Sequence, residues 1–193
     1  MTEITRILLF MVGCVFTQNI VFARLLGAES FRKSCRVETA AVYGLAVTLA
    51  MVLASVCFWI VDSLLLVPAK LTHFRWIAAM LVVIVAAWLV GQCVSKAKPA
   101  WAEALGNDFM PIAANCAVLG VAVLNVENAY NFGYALLNGL CGGVGFLIAI
   151  VLMAGVQDRL ETSKVPESFK GLPISLISAS LIALAFIGFK GMA

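Results

Sequence analysis

The stretch from Ala40 to Val67, AAVYGLAVTLAMVLASVCFWIVDSLLLV, carries one charged residue, Asp62, in 28 positions. A helix of that length is about 42 Å long, against the roughly 30 Å of a bilayer's hydrocarbon. It is long enough to cross a membrane with tilt or overhang. Five further apolar runs flank it: Ile7 to Leu26, Trp76 to Cys93, Phe109 to Leu124, Phe132 to Val156 and Leu172 to Phe189. Hydrophobic residues make up 63% of the 193 and charged residues 12%, half the roughly 25% of a soluble domain. A water-soluble fold of this size could not hide so much apolar surface; a bilayer can. The sequence therefore predicts an all-α polytopic membrane protein with six transmembrane helices and a single transmembrane domain. The first run is not a signal peptide, since its leading segment has only Arg6 and five more spans follow.

The short loops hold most of the charge. Arg24, Arg32, Lys33, Arg36, Lys96, Lys98, Arg159, Lys164 and Lys170 fall on one side, and Arg6, Lys70, Arg75 and Lys190 on the other. Lysine and arginine mark the cytoplasmic side, so both termini are expected outside. A formal net charge of +3 with no basic cluster interleaved with aromatics gives no reason to expect nucleic acid. Trp59, Trp76 and Trp101 lie near span ends, where an interfacial belt explains them. His73 reads as a solvated loop residue.

Two spans are interrupted in the same way. The first carries Thr17-Gln18-Asn19 near its middle and Arg24-Leu25-Leu26-Gly27 at its end. The fourth is short, with Pro111 at its start and Asn115-Cys116 near its centre. Amides are costly in lipid unless they find partners. Matched interruptions in the first span of each set of three are the trace of an inverted repeat, here about 4–93 and 104–190. Irregular backbone at the midplane lines a site in such folds. The plainer reading is that Gln18, Asn19 and Asn115 only join helices. Gly139 and Gly143 have the spacing of close helix packing. Asp62 is either a functional intramembrane carboxylate or, more simply, one that snorkels to water.

Six cysteines, Cys14, Cys35, Cys57, Cys93, Cys116 and Cys141, include no CxxC pair, which excludes a local zinc or dithiol motif. Most read as small apolar fillers within spans. On the residues alone, Cys116 does too.

The run Asn115-Cys116-Ala117-Val118-Leu119-Gly120-Val121-Ala122-Val123-Leu124-Asn125 resembles the fourth helix of one family, RnfA/NqrE. Its members are the A-type membrane subunits of Rnf electron-transport complexes and the related E-type subunits of the sodium-pumping NADH:quinone oxidoreductase. Asn19-Ile20-Val21 with Leu25-Leu26-Gly27, Trp59-Ile60-Val61-Asp62 with Pro68, Val165-Pro166 with Phe169 and Gly171, and Ala185-Phe186-Ile187-Gly188-Phe189 extend the likeness over nearly the whole chain.

The resemblance implies a subunit of a translocase with no complete catalytic site of its own. It would sit multi-pass in a bacterial or archaeal cytoplasmic membrane. The complex couples electron transfer between ferredoxin and NAD to sodium or proton movement. It also implies a homologous six-helix partner in the opposite orientation, within membrane lipid. A [2Fe-2S] cluster would be shared between the two, one cysteine coming from each broken helix of each subunit. Cys116 becomes a ligand, with the amides Asn115 and Asn19 supporting the cluster from outside its ligand set. The family places its other cysteine two residues after the Gly of Leu-Gly, but here Gly27 is followed by Ala28 and Glu29. Carboxylate oxygen is a poor match for a thiolate-bound cluster, and Cys35, six residues on, substitutes only if the loop folds back. Two other classes remain: an inverted-repeat transporter, and a non-redox scaffold of the same family.

Overall fold

The computed structural model describes residues 3–27, 30, 37–68, 72–97 and 110–189. Their regular structure is helical throughout. Helix α1, Glu3–Val12, runs into a wide turn, Gly13–Thr17, closed by the Gln18 amide on the Gly13 carbonyl at 2.7 Å. After Gln18 and Asn19 comes α2, Ile20–Arg24. Helix α3, Val37–Val61, continues through a second wide turn, Asp62–Leu66. A short 3₁₀ turn, Thr72–Phe74, leads into α4, Arg75–Ala97. The four-residue α5, Met110–Ala113, stops before Asn115, and α6 spans Cys116–Glu127. Helix α7, Phe132–Glu161, and α8, Leu172–Ile187, complete the bundle. Both interruptions read from the sequence are present, so neither the first nor the fourth apolar run is one continuous helix.

Among the described residues three helices are long and apolar enough to cross a membrane: Val37–Leu66, Arg75–Lys96 and Phe132–Leu160, with mean hydropathies of 2.4, 2.5 and 2.3. Thr5–Thr17, Cys116–Glu127 and Leu172–Ile187 are shorter and apolar. The bundle is sorted by side-chain size rather than polarity. Helix α4 turns Ala79, Val83, Ala86, Ala87 and Val90 inward and Met80, Leu81, Ile84, Val85 and Trp88 outward. An apolar outer face is what a helix presents to lipid, and small inward residues let helix backbones approach.

Helices α3 and α7 form the spine. The glycine spacing seen in the sequence is used here. A Cβ on Gly143 would lie 2.5 Å from Thr48 Cγ2, and one on Gly139 would lie 2.7 Å from Ser55 Oγ. Thr48 Oγ1 donates to the Gly143 carbonyl at 2.9 Å across that crossing. At one end, Trp59 Nε1 donates to the Tyr130 carbonyl at 3.1 Å.

Asp62 does not snorkel to water. It is 8% exposed and pairs with Arg75 through two bonds, Nε to Oδ1 at 2.7 Å and Nη2 to Oδ2 at 3.1 Å. The wide turn that begins at Asp62 and the start of α4 bring the two together, and the fork-to-carboxylate geometry closes the α3–α4 hairpin. His73 is exposed, as its loop position suggested.

Candidate functional site

The site is built from the two broken helices. In the first, Asn19 caps α2: its Oδ1 accepts from the amides of Val21 at 3.0 Å and Phe22 at 3.4 Å. Its Nδ2 donates to the carbonyls of Val15 at 3.0 Å and Gly145 at 2.9 Å. A helix restarting inside an apolar bundle exposes amides that water cannot reach, and one asparagine answers two of them while binding back to the turn after α1 and across to α7. Gly145 leaves the room for this, since a Cβ there would stand 3.2 Å from Asn19 Nδ2. Gln18, grouped with Asn19 in the sequence as a costly buried amide, is exposed, whereas Asn19 is 1% exposed and sealed inside.

The second break repeats the device with different partners. Asn115 caps α6 through Oδ1, which accepts from the Ala117 amide at 2.9 Å. Its Nδ2 donates to Ser30 Oγ at 3.3 Å and Tyr43 Oη at 3.2 Å. Ser30 Oγ and Tyr43 Oη are themselves 3.2 Å apart. The three side chains form a closed buried triangle that ties α3, the α6 cap and the segment after α2. Ser30 and Tyr43 were not singled out in the sequence. A tyrosine within a 28-residue apolar run reads as an aromatic filler, and nothing local shows where its hydroxyl points.

The two breaks meet at Cys116. The Gly27 amide donates to Cys116 Sγ at 3.0 Å across 89 positions of sequence. Gly27 takes φ +84°, and a Cβ there would fall 2.6 Å from Phe146 Cε2. No other residue fits, on conformation and on space alike. The preceding Leu25 also takes a left-handed φ, +54°, which folds the chain back after α2 and brings Gly27 to the sulfur. Gly145 and Phe146 are the fourteenth and fifteenth residues of the 30-residue α7, so both breaks sit at its mid-height.

Cys116 is half-buried at the first position of α6, with Ala114 exposed two residues before it. The Cys116 sulfur, at a helix N-terminus, accepts a peptide N–H, the kind of hydrogen bond that tunes a ligating sulfur. Those surroundings fit a cluster ligand. The number of ligands is not met locally: among the described residues no three His, Cys, Asp or Glu side chains gather. Glu29 and Cys35 lie outside the described residues. The other cysteines are elsewhere in the bundle. Cys14 and Cys141 are buried, Cys14 donating to Asn138 Oδ1 at 3.5 Å, while Cys93 is exposed on α4. Asn138 Nδ2 donates in turn to Asn125 Oδ1 at 2.7 Å, which joins α6 to α7 away from the sulfur of Cys116.

Residues 7–193 match the family described as "Rnf-Nqr subunit, membrane protein". Similar proteins cover nearly the full length. The chain is 42% identical over 187 residues to the A-type subunit of the Na(+)-translocating ferredoxin:NAD(+) oxidoreductase complex of Acetobacterium woodii, covering 96% of this chain and 97% of that protein. It is 44% identical over 188 residues to the A-type subunit of the ion-translocating oxidoreductase complex of Syntrophotalea carbinolica, covering 97% of each. Over 189 residues it is 41% identical to the protein of the same name in Citrobacter koseri, at 97% and 98% coverage.

Proposed function

The chain belongs to the Rnf-Nqr family of membrane subunits, and on that premise we propose that it relays electrons through the membrane within an ion-translocating ferredoxin:NAD oxidoreductase complex. In this reading it spans the membrane six times, as two inverted three-helix repeats with both termini outside. It faces a homologous subunit in the opposite orientation. The single observation that supports the reading best is the meeting of the two broken helices at Cys116, halfway along α7, with the Gly27 amide on its sulfur.

The physical case is one of distance. About 30 Å of hydrocarbon is too wide for one fast electron hop, and a relay midway divides it. An iron–sulfur cluster, when bound, supplies a one-electron carrier held by four ligands. Cys116 would provide one thiolate, on a half-buried face that a second subunit can approach. Gly27 N–H would withdraw charge from the sulfur. Asn115 would hold the first turn of α6 in place, and Asn19 the α2 segment that leads to Gly27. The remaining ligands would come from the partner, or from the partner and Cys35 where the loop folds inward.

The test is iron and acid-labile sulfide in the complex purified from its host, with an electron paramagnetic resonance spectrum after reduction. Cys116→Ser is expected to abolish the cluster signal. A signal unchanged by that substitution ends the assignment. Glu29→Cys rebuilds the family pattern and is expected to raise iron occupancy. An iron-free parent complex, restored to iron by Glu29→Cys, would instead make this chain a non-redox scaffold of the family.

A further inference from the structure

The geometry points to Tyr43 as the positioning residue of the Cys116 centre: its hydroxyl holds together the two chain segments whose approach delivers the Gly27 N–H to the Cys116 sulfur. This rests on the reading of Cys116 given above. The donor and the acceptor of that N–H···S bond come from segments 89 residues apart. Each is fixed by a near neighbour. On the donor side, the Ser30 amide donates to the Gly27 carbonyl at 3.0 Å. On the acceptor side, Asn115 directly precedes Cys116 and caps its helix at the Ala117 amide. Tyr43 Oη lies 3.2 Å from Ser30 Oγ and 3.2 Å from Asn115 Nδ2, so it braces the longer direct bond of 3.3 Å between Asn115 Nδ2 and Ser30 Oγ and closes the triangle from a third element.

Its ring works at the same place. Tyr43 is 7% exposed, and its ring stands 6.5 Å from that of Phe146, the residue against which Gly27 is seated. Helix α3 is part of the spine, so the hydroxyl is presented from a rigid element. A hydrogen bond to a cluster sulfur raises the reduction potential by stabilising the more negative state. A residue that sets the geometry of that bond sets the potential without touching the cluster.

Tyr43→Phe removes one oxygen and keeps the ring. In the whole complex, iron content is expected to stay at the parent level. The midpoint potential is expected to move to more negative values, with an altered line shape in the reduced spectrum. A second readout needs no metal. In iron-depleted complex, alkylation of Cys116 by N-ethylmaleimide, followed on its own peptide by mass spectrometry, is expected to be several-fold faster in Tyr43→Phe, because the Gly27 N–H no longer occupies a lone pair of the sulfur. Tyr134→Phe, in an aromatic group beside Phe10, is expected to change neither. Parent values of potential, spectrum and alkylation rate in Tyr43→Phe would overturn the proposal. If Tyr43→Phe fails to assemble, Ser30→Ala removes the other end of the bridge and must reproduce the shifts; parent values there overturn it equally. If the parent complex holds no iron, the cluster reading fails by itself, and the alkylation rates still decide the role of Tyr43.

Discussion

The two helix breaks share one chemical device and use it to different ends. Each restarts a helix on an asparagine whose Oδ1 caps the new first turn. The first break spends its amide hydrogens on main-chain carbonyls, Val15 and Gly145. It is sealed into the bundle with no thiol beside it in sequence. The second spends them on hydroxyls, Ser30 and Tyr43, and is followed at once by a half-buried cysteine. A carbonyl is a fixed acceptor, whereas a hydroxyl can rotate and serve as donor or acceptor. The first break is thus a structural joint that shapes the path to Gly27, and the second is the place where, in the proposed relay, a cluster ligand would be held.

That division predicts unequal costs. Asn19→Ala leaves the Val21 and Phe22 amides and two carbonyls short of a partner in an apolar interior, a loss expected at about 3–5 kcal/mol. It would be read as a lower midpoint in a detergent-unfolding titration of the complex, or as failure to assemble. Gly145→Ala pushes a methyl against Asn19 Nδ2 and the Val15 carbonyl, and is expected to cost about 1–2 kcal/mol after the gain in helix propensity is counted. Asn115→Ala loses one cap, but Ser30 and Tyr43 can still bond to each other, so its stability cost is expected near ~1 kcal/mol. Its larger effect should be on the iron content of the assembled complex. Gln18→Ala, at a position with water or lipid on one side, is expected to stay within about 0.5 kcal/mol of the parent. The comparison breaks if Asn19→Ala assembles with parent stability but without iron while Asn115→Ala does the reverse.

Much of the architecture was legible because lipid imposes simple rules. Long apolar runs such as Ala40–Val67 announce helices, and polar residues inside a run announce an interruption. Asn19 and Asn115 were found that way, as was the close crossing at Gly139 and Gly143. What was missed is the tertiary part. Gly27 and Cys116 are 89 positions apart, and no local pattern says that they touch. Asp62 looked like a residue reaching for water until Arg75, 13 positions on, proved to face it. Gln18 and Asn19 are adjacent amides of equal polarity, and only the folded chain shows which one is sealed inside. Tyr43 carries no signal in a run where its neighbours are apolar or small.

The wide turn at Gly13–Thr17 has a consequence for the angular phase of everything after it. Each residue of an ordinary helix advances about 100° around the axis, and a turn closed from i to i+5 holds one residue more than its neighbours. Gly13–Thr17 thus works as a phase shifter that absorbs a single surplus residue just before the cap. Held at ordinary pitch, the same chain would present Gln18 where Asn19 now sits and offer the longer amide to the carbonyl of Gly145. Removing one residue from the turn would take out the surplus and leave Asn19 facing α7 from an unbroken spiral. Inserting one there would swing Asn19 about 100° off α7, even though every side chain that makes the joint would remain in the sequence.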